Sequence, residues 1–219
     1  MPATRAQVEL LEKNRPRQER AKRTYEAILV AAAELLVEVG VERISTNLIA
    51  ERAGITVPAL YRYFPNKYAV LNALGAALMD LQNQVFQRWF DVNLESGDPL
   101  VLLDNVYDLL QQTCDVTRSQ TGGLEIVQAL RAVAPLQDLR LKSHQIVANQ
   151  FAGIVANVLC CPMDEALCLQ ARMTVDMGYG IVEMALEDTS LPTEQVLRQG
   201  ARMLQLYWQD ILARTDKAS

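Results

Sequence analysis

Apolar residues recur along this chain at helical spacing. Tyr25, Ile28, Leu29, Ala32, Leu35, Leu36 and Val39 follow the i, i+3, i+4, i+7 rule and predict a helix over about 18–39, closed by Gly40. Leu48, Ile49 and Ala53 give a short helix, about 46–53, one apolar side. Leu60 and Phe64, four apart, do the same for about 57–63. Leu71, Leu74, Leu78, Leu81, Val85 and Trp89 mark one side of a long helix from Asn66 to about 92. After the break Ser96-Gly97-Asp98-Pro99, the residues Leu102, Leu103, Val106, Leu109, Leu110 and Cys114 predict a helix over about 99–118. Four more follow, at about 123–133, 136–159, 163–187 and 193–214, divided by Pro135, by Pro162 and by the loop 187–192. The expected fold is all-α, with about nine helices.

The stretch 45–67 carries the densest local signals. Ser45 and Thr46 offer hydroxyls to the free amides that open a helix. Gly54 suits the left-handed residue that ends it and turns the chain. Thr56 is placed to cap the next helix, and Pro58 sits in its first turn, where a missing N–H costs little. With Leu60 and Phe64 turned to a core, Val57, Ala59, Tyr61, Arg62 and Tyr63 remain for the front and flanks. A short helix presenting small, aromatic and basic groups suits a DNA major groove.

The run Thr46, Ile49, Ala50, Ala53, Gly54, Ile55, Thr56, Leu60, Tyr61, Tyr63, Phe64, Asn66 and Lys67, at these spacings, closely resembles the helix-turn-helix signature of TetR-family transcriptional regulators. The likeness covers about the first third of the chain. Family members commonly have His where this chain has Tyr63, and both residues can donate to a phosphate. The resemblance implies an N-terminal three-helix DNA-binding domain and a larger helical domain for effector binding and dimerisation. The division expected here is a basic, flexible arm at 1–17, the helix-turn-helix domain at 18–66, and the effector and dimerisation domain at 67–219. Thr46, Thr56, Tyr61, Tyr63 and Lys67 are then expected as phosphate donors, which hold a duplex without reading it. Arg62 can reach a guanine edge or a phosphate, and Val57, Pro58 and Ala59 can touch thymine methyls. Arg23, at the start of the first helix, is a further expected contact. The expected partner is a palindromic double-stranded operator, bound by a homodimer.

The net charge of −5 runs against a DNA-binding reading until its distribution is examined. Residues 1–67 hold eleven basic and eight acidic side chains, and the remainder ten and eighteen. A basic front on an acidic body attracts phosphates at one face only. Half of the 219 residues are hydrophobic, enough for a substantial core, while the few aromatics and abundant Ala and Leu favour helix. No apolar run approaches the ~20 residues of a membrane span, and the N-terminus has no apolar signal region. The expectation is a bacterial cytoplasmic protein without a membrane partner, associated with the nucleoid through DNA.

The helices at about 163–187 and 193–214 are apolar beyond one stripe. The resemblance implies that they pair with a second copy as a four-helix interface, to which Gly178, Ile181, Val182, Gly200, Met203, Leu204, Tyr207 and Trp208 would contribute. It also implies an internal pocket whose small effector releases DNA. Phe86, Trp89, Tyr107, Cys114, Arg131, His144, Phe151 and Met177 are the candidate lining residues for an apolar or amphipathic effector, with an anionic end near Arg131 or Arg140. The expected role is a repressor; an activator or a ligand-independent DNA-binding protein would share the fold.

Enzyme chemistry is not expected. There is no phosphate-cradling glycine loop and no nucleophile elbow, and His144, the only histidine, lacks the Glu of a di-iron helix pair. No cofactor and no metal are expected. Cys160, Cys161 and Cys168 read as reduced helical core cysteines rather than as a zinc or redox site.

Overall fold

The computed structural model describes residues 9, 10, 12, 13, 18–94 and 99–215, which hold ten α-helices and no strand. They are α1 (Glu19–Arg43), α2 (Thr46–Arg52), α3 (Val57–Leu60), α4 (Lys67–Leu94), α5 (Pro99–Asp104), α6 (Val106–Ser119), α7 (Gly123–Ala132), α8 (Ala134–Val158), α9 (Glu165–Glu187) and α10 (Thr193–Thr215).

Local chemistry sets most of the boundaries. Gly40, at φ 73°, breaks the regular turn of α1, and the helical run resumes to Arg43. Ser45 caps α2 by accepting from Leu48 N at 3.3 Å. Asn66 Oδ1 caps α4 by accepting from Ala69 N at 2.9 Å. Asp164 Oδ1 does the same for α9 through Leu167 N at 2.8 Å.

Three expectations are corrected. The single helix predicted over 99–118 is two, which meet at Asn105, whose carbonyl accepts from Trp89 Nε1 at 2.9 Å as well as from Asp108 N and Leu109 N, and whose side chain donates to Asn93 Oδ1 and Val101 O. Pro135 does not separate two helices but lies in the first turn of α8, where proline is tolerated. Leu48 is exposed, and Ile49 with Ala50 supplies the buried side of α2.

By their contacts the described residues form two compact units, one of 1–79 with 119–141 and the other of 80–118 with 142–219. The expected division at 66/67 is one of role, whereas these units are defined by packing. The first unit is built on the predicted stripe of α1. Ile28, Ala32, Leu35 and Leu36 are buried with Ile49 and Ala50 of α2, Leu60 and Phe64, the start of α4, and Ile126, Val127 and Leu130 of α7. Tyr25 stacks on Phe64 with ring centres 5.2 Å apart.

The second unit is dominated by the pairing of α9 with α10. A Cβ on Gly200 would stand 2.5 Å from Ile181 Cγ2, so any side chain there would force Ile181 to shift. Gly200 and Ile181, both expected to face a second copy, thus meet each other within one chain.

Candidate nucleic-acid interface and internal cavity

The α2–α3 hairpin is held in shape by its backbone. Gly54 has φ +67°, the left-handed conformation expected of it. Thr56 Oγ1 accepts from Ala59 N at 3.4 Å and opens α3. Leu60 and Phe64 are fully buried, which turns the other side of α3 outward. Thr56, Pro58, Tyr61 and Arg62 are exposed, and Val57, Ala59 and Tyr63 are half-buried. Thr46 Oγ1 and Tyr61 Oη lie 3.1 Å apart, so two hydroxyls from the start of α2 and the end of α3 converge on one spot. Arg23 is exposed on α1.

Two cations of this unit have other employment. Arg52 bonds Glu38 through both terminal nitrogens, at 2.8 and 2.6 Å, and Glu34 at 3.3 Å, tying α2 to α1. The hydrogen bond from Arg52 holds the Glu38 carboxyl below its ordinary pKa. Lys67 Nζ donates to the carbonyls of Val41, Glu42 and Ile44 at 3.1, 3.3 and 3.1 Å. An ammonium has three donors, and all are occupied there.

Most of the predicted arm, including Arg5, Arg15 and Arg17, lies outside the described residues. Its described part is tied down. Leu10 packs on the core, Lys13 N donates to Tyr63 O at 2.8 Å, and Asn66 Nδ2 donates to Glu9 O at 2.8 Å. Tyr25 Oη donates to Glu12 Oε1 at 2.7 Å. No periodicity in the sequence signals these bonds, because two of the three use the backbone of the arm.

The second unit contains a cavity with an open mouth. Gln82, Phe86 and Trp89 line it from α4, and Leu102 and Leu103 from α5. Val106, Leu109, Leu110 and Thr113 of α6, with Val147 and Phe151 of α8, continue the wall. Thr174, Val175, Gly178, Tyr179 and Val182 of α9 and Leu204 and Trp208 of α10 complete it. The wall is almost wholly apolar, and no charged residue belongs to it.

Of the lining residues expected from sequence, Phe86, Trp89 and Phe151 are present. The other five are elsewhere. Tyr107 receives the Arg198 guanidinium over its ring at 4.4 Å. Cys114 is buried in a neighbouring cluster with Leu197 and Ala201, and burial pushes its thiol pKa up. Arg131 is exposed on α7, in the first unit. Met177 points outward. His144, only 2% exposed, stacks on Tyr179 at 4.2 Å and bonds Asp176 Oδ1 through Nδ1 at 2.5 Å. The expected anionic end near Arg131 or Arg140 has no counterpart in this wall. Gly178, Val182, Leu204 and Trp208, expected at a dimer interface, line the cavity instead. Gln82, Thr113 and Tyr179 were not singled out by any sequence signal, since each is one polar group within an amphipathic helix.

Asp176 also accepts from Arg172 Nε at 2.6 Å. Burial alone would raise its carboxyl pKa. The bonds from Arg172 and His144 and their charges outweigh that and hold it below the ordinary value. The ionised form therefore stabilises the fold above the ordinary aspartate range of about pH 4, and that contribution is lost as pH falls through the lowered pKa. Asp176→Asn should cost about 1–2 kcal/mol at neutral pH, discounted for the partial exposure of the carboxylate. Its stability should also fall less steeply on acidification than that of the wild type, as read by denaturant melts at neutral pH and near the lower limit of folding.

The outer side of α9 and α10 is apolar. Leu169, Met173, Met177 and Met184 are exposed on α9, and Met203 and Leu206 on α10. Of the residues expected at an interface, Met203 is 57% exposed, while Ile181 and Tyr207 are half-buried. Gly180 sits in line with Met173, Met177 and Met184, with no atom within 4 Å of where its Cβ would be. Among the described residues, no group of three His, Cys, Asp or Glu side chains could hold a metal, and no helix is long and apolar enough to cross a membrane.

The sequence pattern of the bacterial regulatory proteins of the tetR family matches residues 28–74, the segment from α1 through the hairpin into α4. Residues 28–74 thus carry the N-terminal domain pattern of the tetR family. It is 45% identical to the class C tetracycline repressor protein of Escherichia coli over 58 residues, 26% of each chain. It is 30% identical to the nucleoid occlusion factor SlmA of Mannheimia succiniciproducens over 102 residues, 46% of this chain and 44% of that one. The chain thus spans from about a quarter to under half the length of these relatives. The fold continues where sequence likeness fades. The structure of SmeT, repressor of the Stenotrophomonas maltophilia multidrug efflux pump SmeDEF, matches with a TM-score of 0.62 at 20% identity, over 85% of this chain and 90% of that one.

Proposed function

We propose that this chain is a ligand-responsive DNA-binding repressor. It acts as a homodimer on a palindromic operator and is released by a small apolar effector held in the second unit. The observation that carries the DNA-binding reading is the outward display of Thr56, Tyr61 and Arg62 on a braced hairpin, with Thr46 and Tyr61 hydroxyls 3.1 Å apart. Two hydroxyls so placed suit one phosphate, and Arg62 beside them suits a base edge or the next phosphate. Thr46, Thr56, Tyr61 and Tyr63 position the duplex, Val57, Pro58 and Ala59 approach it, and Arg23 flanks it. Lys67 contributes positive potential there, while its hydrogen bonds go to carbonyls. The exposed methionine stripe of α9 and α10 supports self-association, because an uncovered apolar stripe on a soluble chain calls for a partner.

The cavity supports the effector. Helix α4 contributes Lys67 and Ala69 to the first unit and Phe86 and Trp89 to the cavity wall. Ligand binding then shifts the population between conformers that differ in α4, and only one of them suits successive grooves. The protein works in the cytoplasm, on DNA.

Selection of bound duplexes from a random pool tests the reading. A palindromic consensus should emerge, and Arg62→Ala should cost ~1–3 kcal/mol with relaxed preference at one base pair of each half-site if Arg62 reads a base. Uniform loss over all duplexes would assign Arg62 to phosphate. A pool with no enriched sequence would end the DNA-reading proposal.

A further inference from the structure

Gln82 of the cavity wall carries a polar atom, almost without accessible surface in this conformation, whose situation selects among ligands once its side chain turns to meet them. Gln82 is 2% exposed and belongs to the wall. Its amide orientation is fixed by a relay. Thr117 Oγ1 gives its only proton to Thr113 O at 2.8 Å, so toward Gln82 it can only accept. The contact at 2.8 Å is therefore donation from Gln82 Nε2, and Oε1 is left on the other side. That oxygen is buried with no hydrogen-bond partner. The wall threonines cannot supply one. Thr113 Oγ1 donates to Leu109 O and Thr174 Oγ1 to Gln170 O, both at 2.8 Å. Trp208 Nε1 is engaged with Thr174 Oγ1 at 2.9 Å.

A buried amide oxygen without a partner is held at a cost in free energy that an incoming donor relieves. The surrounding wall offers a carboxylate or an ammonium no counter-charge, and desolvating either there is unfavourable. Tyr179 adds a phenol that burial keeps neutral by pushing its pKa up.

We propose that the cavity takes a neutral, largely apolar molecule with a single hydrogen-bond donor, of the phenol or alcohol class, and that the donor is directed to Gln82 Oε1. This deepens the effector-site reading above and rests on it. Charged amphiphiles, whether fatty carboxylates or cationic drugs, are excluded as ligands of this cavity.

The test uses the full-length protein and three probes of similar size, namely para-butylphenol, butylbenzene and para-butylbenzoate. Calorimetry gives the affinities. Tryptophan emission gives the location, because both tryptophans of the chain, Trp89 and Trp208, line the cavity. Butylphenol should bind about tenfold tighter than butylbenzene, the scale of one hydrogen bond. Water favours the phenol over the hydrocarbon, so partitioning alone predicts the opposite order. Butylbenzoate should bind weakest. In Gln82→Met, which keeps length and shape without a strong acceptor, the preference should fall to within about twofold.

Equal or tighter binding of butylbenzene to the wild type, tightest binding of butylbenzoate, or a preference that survives in Gln82→Met would overturn the proposal. So would phenol binding that leaves tryptophan emission unchanged. If none of the three probes binds, it is the effector-site reading that falls. The wild-type comparison stands whether or not the variant folds.

Discussion

Phe64→Ala should lower the unfolding free energy by about 3–5 kcal/mol, the range for removing a buried phenyl ring. Phe64 is fully buried, follows α3 directly, and stacks on Tyr25 at 5.2 Å, which in turn meets Tyr63 edge-on at 6.3 Å. Its removal opens a void among α1, α3 and the first turn of α4, all of which bound the proposed DNA surface. The surrounding rings cannot close over the space without moving Tyr63, whose carbonyl also holds Lys13 N. Urea denaturation followed by circular dichroism measures the loss, and Phe64→Leu should recover more than half of it because most of the volume returns. A loss under about 1 kcal/mol for the alanine variant would mean that Phe64 does not anchor the hairpin.

Lys67→Met should cost about 2–4 kcal/mol of stability in the absence of any DNA, given three hydrogen bonds from a charged donor. The three acceptors, Val41 O, Glu42 O and Ile44 O, lie where α1 ends and its last carbonyls lack partners in the helix. Methionine keeps the stem and removes the cap, so the loss isolates the ammonium. From residue type and the family signature alone, Lys67 is a phosphate donor, and its loss would weaken binding to every duplex while leaving the free protein as stable as before. Thermal melts of the DNA-free variant decide between the two. An unchanged melting temperature with uniformly weaker DNA binding would return Lys67 to the direct contacts.

The hairpin was readable because its determinants are local. Ser45, Gly54, Thr56 and Pro58 each act on backbone within four residues, and Leu60 with Phe64 needs only helical spacing to face the core. What escaped depends on distant partners. Nothing near Asn105 signals a helix boundary in the sequence; its carbonyl is shared between the backbone of the next turn and the distant Trp89 indole. Lys67 is indistinguishable in sequence from a free surface cation, and its carbonyl partners lie more than twenty residues away. In α9 and α10 the pattern is apolar nearly all round. It shows that these helices are covered on more than one side and cannot say which side meets the chain's own cavity. Leu204 and Trp208 went inward and Met203 outward for reasons of packing between helices. Gln82 escaped for a similar reason, since a glutamine within an amphipathic helix is ordinary until the neighbouring hydroxyls are known.

The first compact unit is assembled from two separated stretches of chain, and so is the second. Ile126, Val127, Leu130 and Leu136 complete the hydrophobic interior beneath α1 and α4 although they follow the hairpin by some sixty residues or more. The proposed DNA-binding end is therefore not a module that one cut can excise. A fragment ending at residue 66, or even at 79, would leave α1 with a bare apolar flank, and grafting this reading head onto another protein would require carrying α7 with it.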